Sequence, residues 1–223
     1  MYRHYVLYPS IILYWFNQII NVLKKSFLLS ISFSLMITVS GLCQNSLSFN
    51  TTMPLGDRQV EDTSGRNISL QQAADNNGLI VIFSSNTCPW VAKWEDRMVE
   101  LSSYASANDF GMIVLNSNER IRDRGESLED MNRRAQKQNY NFIYAMDSEH
   151  QIADAFGAQY SPEVFIFDAE LQMVYHGAID DNPNNASSVS RPYVREALSA
   201  LINGQPVPTR STRIIGCSIK RSE

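Results

Sequence analysis

The chain has 223 residues, with 19 Lys and Arg against 23 Asp and Glu and a formal net charge of −4. Arg3, Lys24 and Lys25 are the basic residues before residue 44, and no acidic residue precedes that point, so the remainder carries 16 against 23, a net charge of −7. With no basic stripe to neutralise phosphates, that balance argues against a nucleic-acid partner.

Residues 1–43 read as a leader. Lys24-Lys25, the apolar stretch that follows and the small residues Gly41 and Cys43 make the basic, apolar and small-residue series of a secretory signal, cut before Gln44. If Cys43 were lipidated instead, Leu42 would be a bulky choice beside it. Residues 5–23 are apolar and aromatic but are interrupted by Pro9, Asn17, Gln18 and Asn21. They fit a first membrane span, giving an N-terminal membrane anchor, or a start assigned too early. We prefer the second, because the signal is complete without residues 1–21.

Residues 44–223 suit one domain, large enough to bury a core without metal or disulfide staples. Residues 44–66 are polar and turn-rich and read as an N-terminal extension. Asn67 to Leu70 starts a short strand running into a helical turn at 71–75. The unalternating apolar run 79–83 reads as a strand buried on both faces. Residues 89–107 read as a helix, with Val91, Trp94, Met98, Leu101 and Tyr104 on one apolar face. Residues 111–116 are a second buried strand. Residues 127–138 form a helix, with Ser127 as N-cap and Asp130 at the capping-box distance. A short strand follows at 142–145. A short helix at 148–155 is stopped by Gly157 in a left-handed cap. Residues 164–167 and 173–176 pair as a hairpin, 180–190 is a polar loop and 192–203 is the last helix. Residues 67–204 therefore make the domain, and 205–223 a tail. This order gives an α/β fold with a central mixed β-sheet flanked by helices on both faces.

Cys88 ends a buried strand and begins a helix. Unpaired N–H groups and the positive end of the helix dipole favour a thiolate there. The other reading is a small buried apolar residue. After the leader, Cys88 and Cys217 remain, 129 residues apart. They read as a working pair or as two independent thiols, not as a disulfide scaffold. No Cys/His spacing of the metal type occurs, so neither a metal nor a cofactor is expected. His176 reads as a satisfied sheet histidine and His150 as surface. Arg120, Arg122 and Arg124 alternate with Glu119, Asp123 and Glu126, which reads as a solvated face. Trp94 reads as core, and Trp90 as partly exposed beside Cys88.

The strand–turn–helix run Phe83-Ser84-Ser85-Asn86-Thr87-Cys88-Pro89-Trp90-Val91 resembles the active-site junction of the thioredoxin-like fold. The run Tyr160-Ser161-Pro162-Glu163-Val164 and the hairpin after it are similar to the segment where that fold places a cis-proline facing the cysteine. Cys88-Pro89-Trp90-Val91 and Ile215-Gly216-Cys217-Ser218-Ile219-Lys220 resemble the redoxin branch, related to alkyl hydroperoxide reductase and thiol-specific antioxidant proteins. Val91 departs from the thioredoxin pattern, which carries its second cysteine there. The resemblance implies a peroxiredoxin-like enzyme with Cys88 as the reactive thiolate and Cys217 as the candidate resolving thiol. It implies either that Ser85 helps hold thiolate and peroxide or that it serves the turn alone. Thr87, Pro89, Trp90, Ser161 and Pro162 would shape the site, and Arg97 is a candidate for the arginine near the thiolate. The substrate would be a peroxide or a protein or small-molecule disulfide, with an external thiol as electron donor. The alternatives are a thiol–disulfide reductase or isomerase of the cell envelope, and a redox-inactive binding module. The tail carrying Cys217 is expected to be able to swing towards Cys88.

Overall fold

In the computed structural model, which describes residues 46–222, the apolar runs become strands of one sheet. The strands are β1 (Gln59–Asp62), β2 (Asn67–Ser69), β3 (Gly78–Ser84), β4 (Phe110–Asn116), β5 (Ile143–Met146), β6 (Tyr160–Ser161), β7 (Glu163–Phe167), β8 (Met173–Gly177) and β9 (Cys217–Ser218). The helices are α1 (Leu70–Ala73), α2 (Pro89–Ser106), α3 (Leu128–Lys137), α4 (Gln151–Phe156) and α5 (Tyr193–Ile202). Seven strands lie in the order β2-β1-β5-β4-β3-β7-β8, and β6 and β9 form a separate pair. β3, β4 and β5 run parallel, whereas β7 joins β3 antiparallel and β1 joins β5 antiparallel. The leader and anchor readings of residues 1–43 lie outside the described residues. Among those described, no helix is long and apolar enough to cross a membrane.

Every residue of β3 is buried, because both faces of the sheet are covered. Leu79, Val81 and Phe83 face a core shared with α1 and α4, and Ile80 and Ile82 face a second core shared with α2, α3 and α5. Strict side-chain alternation divides one apolar run between two cores. Phe83, Phe156 and Phe165 meet edge to face at 5.2–5.7 Å between centroids. Each such pair adds about 0.5–1.5 kcal/mol beyond its area burial. They fix the end of β3, from which the site begins.

Several local readings differ from the structure. Residues 44–66 are more than an extension, since β1 pairs with β2 and β5 and buries Val60 and Asp62. A four-residue strand with two charges carries too little apolar pattern to be read alone. The helix expected from residue 148 begins at Gln151, because Glu149 and His150 take left-handed backbone (φ 57° and 47°). The buried Asp147 carboxylate instead accepts the Ile152 and Ala153 N–H groups, both at 2.9 Å. Gly157 closes α4 in the left-handed conformation, as expected.

Candidate functional site

β3 ends at Ser84, and Ser85, Asn86 and Thr87 carry the chain to Cys88, the N-cap of the 18-residue α2. Pro89 stands at the first helical position, where its missing N–H is no loss. No acidic side chain lies in the first turn of α2, so the positive helix end is available to a negative sulfur. Cys88 is 3% exposed.

The turn before Cys88 is held by Glu126, a carboxylate that is buried and not on a solvated face as its arginine-rich surroundings imply. Glu126 is 0% exposed. Its Oε1 accepts Ser85 Oγ (2.5 Å), Thr87 N (3.0 Å) and Thr87 Oγ1 (2.6 Å). Its Oε2 accepts Asn86 N (2.8 Å) and Asn116 Nδ2 (2.5 Å). Five donors satisfy a buried charge that would otherwise be very unfavourable. Arg122 is also drawn inward, donating to Asn116 Oδ1 and to the Glu126 carbonyl. Arg120, Asp123 and Arg124 do remain exposed. From the other side, Arg134 donates to Asn86 O at 2.8 Å while holding the buried Glu95 with two hydrogen bonds. Burial, and then the charge of Glu126, push the Tyr144 phenol well above its ordinary value. It stays protonated and donates to Asn86 Oδ1 at 2.8 Å.

The facing wall is β6 and the proline after it. The Ser161–Pro162 peptide is cis. Cys88 Sγ lies 3.2 Å from Ser161 O. The Ser161 hydroxyl is buried and has no hydrogen-bond partner among the described residues. Glu163 Oε2 accepts the Gln159 and Tyr160 N–H groups, both at 2.7 Å, and Oε1 meets His176 Nε2 at 2.7 Å. His176 also stacks on Phe165, so it is the satisfied sheet histidine expected.

The tail is laid down as a strap rather than free to swing. His176 N donates to Arg210 O, and Thr212 Oγ1 accepts Ala178 N at 2.9 Å. β9 then pairs antiparallel with β6, setting Cys217 opposite Ser161 and Ser218 opposite Tyr160. Beyond it, Ile219 is buried in the core and its N–H reaches Gln159 O. Lys220 N donates to Asn118 Oδ1, and Arg120 N to Lys220 O. Arg221 Nε bonds Asp154 at 2.7 Å. Burial alone would raise the Asp154 pKa, but the Arg221 and His150 hydrogen bonds outweigh it and hold the carboxyl below its ordinary value. Between these two anchors Cys217 is disulfide-bonded to Cys88, with Cα atoms 6.1 Å apart.

The structure thus gathers Cys88, Cys217, Ser161 and Pro162, with Ser85 and Thr87 in the turn that precedes Cys88 and Trp90 half-buried. Ser85 Oγ donates its proton to Glu126 Oε1. Arg97 is not beside the sulfur. Nine residues along α2 from Cys88, about 13 Å by helical rise, it pairs with the buried Asp180 and donates to Asn182 O and Pro183 O. Asp180, read as part of a polar loop, also accepts Trp94 Nε1 at 2.9 Å. The signal for Glu126 and Asp180 is faint: each is an acidic residue most of whose donors lie far off in the chain, about 40 residues away for Glu126 and about 85 for Asp180.

Residues 49–191 match the redoxin family. An uncharacterized conserved protein from Geobacillus kaustophilus shares 30% identity, covering 80% of this chain and 94% of its own, with a TM-score of 0.74. A hypothetical protein from Sinorhizobium meliloti 1021 shares 30% identity over 80% of this chain and 97% of its own, with a TM-score of 0.73. The Xanthomonas campestris bacterioferritin comigratory protein, described for alkyl peroxide reduction, shares 14% identity over 70% and 99%, with a TM-score of 0.52. Such structures carry the thioredoxin-like fold found here. No curated protein sequence matches.

Proposed function

This chain belongs to the redoxin family, and on that premise we propose that it is an exported thiol-dependent peroxidase in which Cys88 attacks and Cys217 resolves. The observation that carries the reading is the Cys88–Cys217 pair, which supplies from the tail the second thiol that Val91 removes from the active-site turn. The alkyl peroxide reduction described for the Xanthomonas campestris protein is the activity carried over.

The Cys88 thiolate, favoured at the helix start, attacks one peroxide oxygen. The O–O bond breaks, an S–O bond forms, and the leaving oxygen takes a proton to become water or an alcohol. Sulfur is oxidised by two electrons to sulfenic acid. The Cys217 thiolate then attacks that sulfur, the S–S bond forms, and the hydroxyl leaves as water after protonation. An external dithiol returns two electrons by exchange with the bridge. Glu126 takes no part in these transfers and holds the turn that aims Cys88.

A peroxide-consumption assay with a dithiol donor tests the proposal. Turnover should vanish in Cys88→Ser. Wild-type protein that consumes no peroxide, yet reduces a protein disulfide, would overturn it in favour of envelope disulfide exchange. That second reading draws on Cys217, which is more exposed than Cys88 and open to attack by another thiol. A redox-inactive binding module predicts neither activity. Export rests on the 24–43 segment, and N-terminal sequencing of the mature protein beginning at Gln44 would support it.

A further inference from the structure

Gly216, just before Cys217, lies close against the backbone of Ser161. A Cβ at Gly216 would stand 2.5 Å from Ser161 O, 2.8 Å from Ser161 C and 3.2 Å from Ser161 N. All three are backbone atoms of the residue whose carbonyl contacts Cys88 Sγ and which pairs with Cys217. Gly216 is not among the glycines with positive φ. The need is therefore for space and not for a special conformation. The strap is fastened on both sides by contacts that do not involve sulfur: Arg210 and Thr212 before, Ile219 to Arg221 after. Its middle can therefore be seated only if residue 216 lets the backbone lie flat on the Ser161 peptide.

We propose that Gly216 is the positioning residue that seats Cys217 against Cys88, so that its lack of a side chain decides whether an oxidised Cys88 is resolved or oxidised further. This rests on the reading of Cys217 as the partner thiol. With any Cβ present, the 216–218 segment lifts by several tenths of an ångström. The reduced chain accommodates this by releasing that segment, but the bridge forces the overlap. The Cys88 sulfenic acid then persists and meets a second peroxide. Another O–O bond breaks, a second S–O bond forms, and sulfinic acid results with release of water or alcohol.

The test is Gly216→Ala in the full chain, with Ser218→Ala as a neighbouring control. Reduced proteins are treated with hydrogen peroxide, quenched in acid at intervals and weighed intact. Gly216→Ala should bridge roughly 10-fold more slowly, within the ~5–150-fold span that overpacking of this size produces. Sulfinic acid should accumulate, and the first oxidation of Cys88 should keep its wild-type rate. Ser218→Ala should behave as wild type. Bridging of Gly216→Ala within about twofold of wild type overturns the proposal. A second measurement needs no peroxide: in glutathione redox buffers the Cys88–Cys217 equilibrium constant should fall by the same roughly 10-fold. If peroxide leaves the wild type unchanged while that constant still falls, the peroxidase reading fails and the seat stands. On a Cys217→Ser background, Gly216→Ala should not change the melting temperature. A drop there would make Gly216 a requirement of the fold and overturn its positioning role.

Discussion

Glu126→Gln changes one atom of the buried carboxylate and tests whether its charge holds the Cys88 turn. If the amide oxygen replaces Oε1, the new NH2 faces the Asn86 N–H and the Asn116 amide donor, stranding two donors. In the flipped orientation it faces Ser85 Oγ, Thr87 Oγ1 and Thr87 N. The two hydroxyls can rotate to accept, but the Thr87 N–H cannot. At least one buried backbone donor is left unmade, which costs about 1–3 kcal/mol. The surviving bonds lose their charge assistance, which roughly halves each. A total near 3 kcal/mol corresponds to a drop of about 6–12 °C in Tm for a domain of this size. Thermal melting of the reduced protein by circular dichroism measures it. The rate of peroxide oxidation of Cys88 should fall with it, because the turn that aims the sulfur loosens. A Glu126→Gln protein melting within about 1 °C of wild type would refute the argument that an ionised Glu126 organises the turn.

Three further outcomes follow from neighbouring groups. Ser161→Ala removes a buried hydroxyl that no described residue satisfies, so stability should be unchanged or rise by up to about 1 kcal/mol; a loss beyond about 1 kcal/mol in urea unfolding would contradict this. Arg97→Ala strands the buried Asp180 and should cost about 3 kcal/mol in the same assay while Cys88 oxidises at the wild-type rate; a large fall in oxidation rate would restore Arg97 to the thiolate. The Asp154–Arg221 tether has a depressed carboxyl pKa in the folded state. Its contribution is therefore fully present above the unfolded value of about 4 and is lost as pH falls through the lower folded value. Asp154→Asn should melt below wild type at pH 7, with the gap narrowing as pH falls towards about 2, and an equal gap at both would refute the ionic tether.

How much of this could be read in the sequence depended on the range of the interactions. Leu79 to Phe83 announced a doubly buried strand because a continuous apolar run needs no partner to be recognised. Ser127 with Asp130 and Gly157 likewise marked helix ends through contacts within a few residues. The position of Cys88 followed from the same local grammar. Glu126 did not, since an acidic residue among arginines looks solvated until five donors from two segments converge on it. The tail looked mobile because Ile219 is one apolar residue amid polar ones, and its place in the core is visible only once Gln159 and Asn118 are in position. The requirement for Gly216 is steric and lies in the Ser161 backbone, 55 residues away in the chain.

The central claim is that oxidation at Cys88 ends in a bridge to Cys217 of the same chain. Disulfide mapping after one equivalent of hydrogen peroxide is added to the fully reduced protein tests it most directly. The account predicts a monomer lighter by two hydrogens, with the Cys88 and Cys217 peptides joined, and in Cys217→Ser a Cys88 carrying one or two added oxygens. An unmodified Cys88, or a bridge formed only between chains, would contradict it.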